Sequence, residues 1–100
     1  MGSTRPRPAR LAEKLLAIRQ KLNGGLSQNQ LIKSLKLEDE IEQDRISKFE
    51  RGVLEPPLHV LCAYADAANV LLEVIVKDEL NLPKILPAPH KDLRLLKPAK

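Results

Sequence analysis

Aromatic residues are almost missing from this chain of 100 residues, which contains one Phe, one Tyr and no Trp. The hydrophobic core must therefore be built mainly from aliphatic side chains, drawn from the 43% of residues that are hydrophobic. This amount suffices for one small domain but not for a deep enzymatic cleft with its supporting shell. We therefore expect a single small domain.

Cysteine is equally scarce, because Cys62 is the only one in the chain. No intramolecular disulfide can form, and Cys62, His59 and His90 do not have the spacing of metal ligands. No nucleophile has an adjacent base, and Asn23-Gly24-Gly25 is typical of a helix stop rather than of a phosphate-binding loop. We expect no enzyme activity, no metal and no cofactor. The two histidines are expected to be structural or incidental, and Cys62 to be a buried or half-buried small hydrophobe.

Long apolar runs are also absent from the sequence. None approaches the roughly 20 residues that a membrane-spanning helix needs, and the first residues lack the hydrophobic core of a signal peptide. Together with the single cysteine, this pattern predicts a cytoplasmic protein that does not associate with membranes.

Charge is abundant and unevenly distributed along the chain. The formal net charge is +4, but residues 1–37 contain eight basic residues against one acidic residue, and residues 83–100 contain five against one. Between these basic ends lies the segment KLEDEIEQD, with five acidic residues from Glu38 to Asp44. The basic ends predict an anionic partner, although an ordinary solvated surface explains them equally well.

The spacing of apolar residues predicts helices over most of the chain. A first helix, starting at about Ala9, is indicated by the apolar stripe of Leu11, Leu15, Ile18 and Leu22. The segment Asn23-Gly24-Gly25 ends it, since glycine tolerates the left-handed conformation common at helix C-termini. Ser27 and Gln30 then have the spacing of a capping box, which predicts a second helix ending near Leu35.

Two further helices are predicted after the acidic segment. Ile46 and Phe49 give the third its buried side, and Gly52 ends it. The prolines of Glu55-Pro56-Pro57 open a fourth helix, whose inner face is predicted to hold Leu58, Leu61, Ala65 and Ala68. Residues 70–76 are almost wholly apolar and fit either a short fifth helix, which we favour slightly, or a strand. Beyond Asn81, four prolines and scattered cations are typical of a flexible tail.

Three runs in this order carry a resemblance to a known family. The runs LSQNQLIKSL, RISKFERG and EPPLHVLCAYADAANV are similar to the helix-turn-helix transcriptional regulators of the Cro/C1 (XRE) family. The resemblance covers residues 9–76 and implies an all-α, five-helix, lambda repressor-like domain. A flexible basic arm over residues 1–8 would precede it, and a C-terminal extension with a Pro-rich basic tail over residues 77–100 would follow. In that fold the second helix crosses the DNA backbone, and the third helix, here around residues 42–51, enters the major groove. Proteins of this family commonly bind DNA as dimers.

The resemblance also implies roles for individual residues. It places Gln43, Asp44 and Lys48 at base-reading positions, where Gln suits adenine, Asp accepts from cytosine and Lys suits guanine. The alternative is a solvated face with an ordinary Asp44/Lys48 pair. Contacts to the DNA backbone are expected from Ser27, Gln28, Arg45, Ser47 and Arg51, and from the arm residues Arg5, Arg7 and Arg10. Arg19 and Glu50 are expected to form an internal ion pair that joins the first helix to the third.

Two features depart from the family's pattern. About four residues more than usual lie between Leu35 and Ile46, and acidic residues crowd this enlarged turn. Stepping 100° per residue from the buried side of the third helix places Glu42 toward the core, where an unpaired charge is costly. The helix is therefore expected to begin at or just after Glu42, which leaves Glu38, Asp39 and Glu40 in the turn, stabilised by the helix dipole. The loop after Gly52 lacks cations, which predicts weaker affinity for DNA than a typical member of the family has.

Two functions remain open on this reading. The favoured one is a sequence-specific DNA-binding transcriptional regulator, a repressor, that binds double-stranded DNA as a homodimer. Its dimer surface would come from the apolar residues Leu71, Leu72, Val74, Ile75 and Val76, unless these are buried within the monomer. The alternative is a protein-interaction module of the same fold, such as an antitoxin-like partner, that binds a protein through the acidic turn or the tail.

Overall fold

Residues 8–87 are described by the computed structural model, and they form five α-helices and no β-strand. The helices are α1 (Leu11–Lys21), α2 (Gln28–Leu35), α3 (Gln43–Glu50), α4 (Leu58–Ala68) and α5 (Leu72–Val76), with a 3-10 turn, Leu22–Gly24, after α1. The prediction of an all-helical chain is confirmed for this part, and residues 72–76 are helix rather than strand. Arg5, Arg7 and His90 lie outside the described residues. No helix within residues 8–87 combines the length and apolar character needed to cross a membrane.

Local hydrogen bonds hold α2 at both ends. Ser27 Oγ accepts from the Gln30 backbone N–H at 3.1 Å, and Gln30 Oε1 accepts from the Ser27 backbone N–H at 2.8 Å, which completes the capping box. At the other end, the Leu37 N–H donates to the Ile32 carbonyl at 3.1 Å across Lys36, whose φ is 61°. This left-handed conformation is strained for lysine, because its Cβ approaches the carbonyl oxygen.

The core gathers aliphatic side chains from all five helices around the only two aromatic residues. Tyr64 is 0% and Phe49 is 1% exposed. The enlarged turn contributes as well, since Leu37 and Ile41 are buried while Glu38, Asp39 and Glu40 remain exposed. Burial of each aliphatic side chain is worth roughly 1.5–3 kcal/mol. Two aliphatic anchors therefore hold the acidic turn against the domain.

Two predictions for α4 are wrong, because Leu58 is 66% exposed and Cys62 is exposed. The buried face of α4 is formed by Val60, Leu61, Tyr64, Ala65 and Ala68. Its centre lies about 90° from Leu58 and about 130° from Cys62, at 100° per residue. The large side chains of Tyr64 and Val60 determine which face of α4 is buried. The predicted inner face did not include them, so it was rotated toward Leu58.

The segment after α5 runs back over α1, and residues 77–87 are named the C-terminal strap. Lys14, which lies on the apolar stripe of α1 and is 1% exposed, donates from Nζ to the carbonyls of Val74, Lys77 and Leu80 at 2.8, 2.7 and 2.6 Å. Burial lowers the pKa of Lys14 below its ordinary value. The three carbonyls satisfy all three donors of its ammonium group. A buried cation thus joins the end of α5 and the strap to α1.

Asp78 completes this junction at the start of α1, where the sequence offers no local side-chain cap. Its carboxylate accepts from the backbone N–H groups of Ala9 and Arg10, both at 2.9 Å. Those hydrogen bonds lower the pKa of the Asp78 carboxyl. Arg10 returns a hydrogen bond from Nη1 to the Asp78 carbonyl at 2.7 Å. The cap of α1 is therefore supplied 68 positions away along the chain.

The strap continues toward the other end of α1. Lys21 Nζ donates to the Lys84 carbonyl at 2.7 Å, and Leu82 and Leu86 pack against the core. We expected a flexible tail beyond Asn81. The described part of this tail, through Pro87, makes these contacts with α1 and the core.

Replacing Lys36 by glycine is expected to stabilise the protein by about 1 kcal/mol, because glycine adopts the left-handed conformation without strain. Urea unfolding of wild type and Lys36→Gly measures the difference. The control is Lys33→Gly, the same change one turn earlier in α2, which should cost about 1 kcal/mol because its backbone is helical. Equal destabilisation by both variants would contradict this account of the end of α2.

Replacing Asp78 by alanine is expected to lower the melting temperature at pH 7 and to matter progressively less in acid. The pKa of Asp78 lies below its ordinary value of 3.8, so its stabilisation is complete above that pH and is lost as the pH falls through the lowered pKa. Melting curves of wild type and Asp78→Ala from pH 7 to pH 2 test this. The neighbouring exposed residue provides the control, Glu79→Ala, which should show no such convergence.

Candidate functional site

α3 packs on α1 and α2 with one side and turns the other to solvent. Ile46 and Phe49 are buried, whereas Gln43, Asp44, Arg45 and Arg51 are exposed. Ser47 and Lys48 are partly exposed. The helix follows Glu42, which is exposed and stands at the N-cap position without a side-chain cap hydrogen bond. The residues assigned to base reading, Gln43, Asp44 and Lys48, therefore share an open face.

Weak contacts connect the side chains along this face. Lys48 Nζ lies 3.2 Å from Asp44 Oδ2, with the two side chains 43% and 69% exposed. Arg51 Nε donates to Ser47 Oγ at 3.2 Å. Such solvated i,i+4 pairs on a helix contribute only about 0.3–0.5 kcal/mol. A ligand can therefore displace them at small cost.

Behind this face, Arg19 and Glu50 form a bidentate ion pair. Arg19 Nε donates to Glu50 Oε2 at 2.7 Å, and Arg19 Nη2 donates to Glu50 Oε1 at 3.0 Å. The side chains are 19% and 6% exposed. The hydrogen bond to Glu50 raises the pKa of the Arg19 guanidinium. Arg19 Nη1 also donates to the Leu26 carbonyl at 2.8 Å, so one guanidinium joins α1, α3 and the loop before α2.

A chain of three side-chain amides leads from this ion pair to the surface. Gln28 Nε2 donates to Glu50 Oε1 at 3.0 Å, and Gln43 Nε2 donates to Gln28 Oε1 at 3.1 Å. Asn29 Nδ2 donates to Gln43 Oε1 at 3.4 Å. Gln28, Gln43 and Asn29 are named the amide chain. They hold the first turn of α2 beside the first turn of α3.

Asn29 was missed by the sequence reasoning, which assigned contacts only to Ser27 and Gln28 at the start of α2. Its position next to Gln28, in an exposed first turn, was the available signal. Ser27 is used as the cap of α2, with its hydroxyl oxygen accepting from the Gln30 N–H. Its own O–H remains a donor for another group.

Tyr64, on which the charges of both members of the ion pair act, was also missed. It is fully buried, and its hydroxyl is the one buried side-chain polar atom within residues 8–87 that has no hydrogen-bond partner. Burial raises the pKa of Tyr64, and the charge of Glu50 adds to this while that of Arg19 opposes it.

Carboxylates of the enlarged turn border the open face of α3. Glu38 and Glu42 line the same shallow groove as Gln43, together with Lys33 of α2. Glu40 Oε1 lies 2.6 Å from His59 Nε2, with both side chains more than half exposed. Within residues 8–87, no group of three or more His, Cys, Asp or Glu residues could hold a metal ion. The surroundings of α3 therefore combine cations, carboxylates and amides.

Comparison of the chain with profiles of protein families, with curated proteins and with solved structures finds no match in any of the three.

Replacing Glu50 by alanine is expected to destabilise the fold by about 3 kcal/mol, because it leaves the guanidinium of Arg19 unpaired and largely buried. Urea unfolding followed by circular dichroism gives the free energy. Glu13→Ala is the matched control, since the Glu13 side chain is 67% exposed and lies 3.4 Å from Arg10, and its loss should cost at most about 0.5 kcal/mol. A loss below about 1 kcal/mol for Glu50→Ala would contradict the structural role.

Proposed function

We propose that this protein is a sequence-specific DNA-binding transcriptional regulator of helix-turn-helix type, a repressor, with α3 as the helix that enters the major groove. The observation that carries the proposal is the open face of α3, held beside the start of α2 by the Gln43–Gln28 hydrogen bond of 3.1 Å. An α-helix with its side chains is about 10–12 Å in diameter, and the major groove is about 12 Å wide. A helix of this size, backed by α1 and α2, fits such a groove.

The family resemblance implies that Gln43, Asp44 and Lys48 read bases, and side-chain chemistry indicates which base each would contact. Gln43 offers an amide to adenine, and Lys48 offers an ammonium group to guanine. Asp44 accepts from the amine of cytosine and repels phosphates that approach in a wrong register. Its pairing with Lys48 at 3.2 Å competes with both contacts. The competition is weak because the pair is solvated.

Contacts to the DNA backbone would surround this face. The Gln28 side chain donates one hydrogen bond and accepts one within the protein, and it keeps one N–H. Phosphate contacts at this helix end would come from that N–H, from the Ser27 hydroxyl and from the backbone N–H groups of the first turn of α2. Arg45, Ser47 and Arg51 on α3 provide further contacts. Binding should depend strongly on salt, since each neutralised phosphate releases counterions.

The proposed homodimer has less apolar surface available than the sequence suggested. Ile75 is fully buried in the monomer, and Leu72 and Val76 are partly packed against its core. Leu71, 70% exposed, is the main apolar side chain that this segment offers to a second copy. Such a dimer would be weak in the absence of DNA.

A protein-interaction module, such as an antitoxin-like partner, is the second candidate function. Four exposed carboxylates on the enlarged turn favour it, because they suit a basic protein surface better than a polyanion. Leu58, 66% exposed at the start of α4, and Val53, 58% exposed after α3, add apolar surface. This candidate requires no role for Gln43 or Lys48.

Selection of binding sites from random duplexes, followed by salt titration of the enriched site, tests the first function against the second. We expect an enriched motif, and we expect Gln43→Ala and Lys48→Ala each to lose about 1–3 kcal/mol of discrimination at one base pair. Lys77→Ala, which removes an exposed lysine outside α3, serves as the control and should keep the base preference. Absence of any enriched motif would favour the protein-interaction module.

A further inference from the structure

We propose that the Arg19–Glu50 ion pair, besides joining helices, determines which way round the Gln43 amide faces and so which base edge it matches. Arg19 and Glu50 act as positioning residues, through Gln28. This inference rests on the proposed function, because the orientation of Gln43 affects specificity only if Gln43 reads a base.

The first step is fixed by the chemistry of a carboxylate, which accepts hydrogen bonds and cannot donate them. Both oxygens of Glu50 already accept from Arg19, at 2.7 and 3.0 Å, and the side chain is only 6% exposed. Gln28 must therefore offer its NH2 group to Glu50 Oε1, as it does at 3.0 Å. A reversed amide would set its carbonyl oxygen against a carboxylate in a poorly solvated position.

The second step carries this orientation to the surface. With its NH2 group toward Glu50, Gln28 presents its carbonyl oxygen to Gln43, which donates from Nε2 at 3.1 Å. The oxygen of Gln43 then faces Asn29, which donates from Nδ2 at 3.4 Å. Each amide is aligned by the one before it. The buried carboxylate of Glu50 thus determines which end of each amide in the amide chain donates and which accepts.

The third step is a count of what Gln43 retains for a ligand. A glutamine amide has two N–H donors and two acceptor lone pairs. Gln28 takes one donor and Asn29 occupies one lone pair, so one donor on Nε2 and one acceptor on Oε1 remain. Adenine presents the matching set in the major groove, an N7 acceptor beside an N6 donor. The inferred ligand is therefore the adenine edge of an A·T pair, read in one orientation.

The orientation is testable without DNA, by NMR of the full chain labelled with 15N. The side-chain NH2 resonances of Gln28 and Gln43 are assigned with Gln28→Leu and Gln43→Ala. In Glu50→Gln, the side chain of residue 50 can both donate and accept, so it no longer forces Gln28 to turn its NH2 group inward. We expect the NH2 resonances of Gln28 and Gln43 both to shift. An unchanged Gln43 resonance beside a shifted Gln28 resonance would overturn the inference.

The base preference is tested by site selection with the same proteins. At the base pair whose preference Gln43→Ala abolishes, we expect wild type to favour adenine at least about tenfold, and Glu50→Gln and Gln28→Leu to show almost no preference. Preferences at the other positions should persist. Gln20→Leu, the same change at an exposed glutamine of α1, is the matched control and should behave as wild type. Full adenine preference in both folded variants would overturn the inference.

Two outcomes separate this inference from the proposed function. If wild type enriches no motif, the proposed function fails and the claim on base preference fails with it, whereas the NMR resonances still decide the orientation of Gln43. If Glu50→Gln does not fold, Gln28→Leu decides, because it breaks the amide chain and leaves the Arg19–Glu50 pair in place. Retention of the adenine preference by Gln28→Leu then overturns the inference.

Discussion

The bidentate contact between Arg19 and Glu50 is the interaction on which the arrangement of α1, α2 and α3 depends. Its guanidinium reaches the Leu26 carbonyl before α2, and its carboxylate holds Gln28 in the first turn of α2. An apolar pair of similar volume can stabilise a fold as well as a buried ion pair does. It cannot orient a neighbouring amide. The ion pair therefore contributes the orientation of the neighbouring Gln28 amide, which aliphatic side chains at the same positions would not fix.

A second set of polar contacts fixes the opposite side of α1. Lys14 donates to three main-chain carbonyls around the end of α5, and Asp78 caps the start of α1. The core between these contacts is aliphatic except for Phe49 and Tyr64. Such a core packs without strong angular preference. Polar contacts at both sides of α1 thus define how the strap and α3 are placed relative to it.

Features that depend on neighbouring residues could be predicted from the sequence. The capping box of Ser27 and Gln30, the end of α2 at Leu35 and the start of α3 after Glu42 are set by hydrogen bonds and helical phase within a few residues. The pairing of Arg19 with Glu50 came only from a family resemblance, because nothing local joins residues 31 positions apart. Lys14 gave a signal that went unused, since a lysine on an apolar stripe needs acceptors.

Other features required the tertiary structure. The cap that Asp78 provides for α1 has no local signature, and the exposure of Leu58 and Cys62 follows from where Tyr64 fits in the core. The acidic turn is explained in the same way. Leu37 and Ile41 anchor it, so that Glu38, Asp39 and Glu40 face solvent. Acidic residues can be concentrated just before α3 because the segment between Leu37 and Ile41 lies on the surface. They do not cover the exposed side chains of α3.

On our proposal, the exposed face of α3 is the surface that binds DNA. Titration of the 15N-labelled full chain with a duplex enriched by site selection, followed by NMR, identifies the residues that contact the duplex. Resonances of Gln43, Asp44 and Lys48, with those of the first turn of α2, should shift while those around Glu38 and Leu58 stay in place. Shifts confined to the acidic turn and α4, with α3 unaffected, would contradict the account.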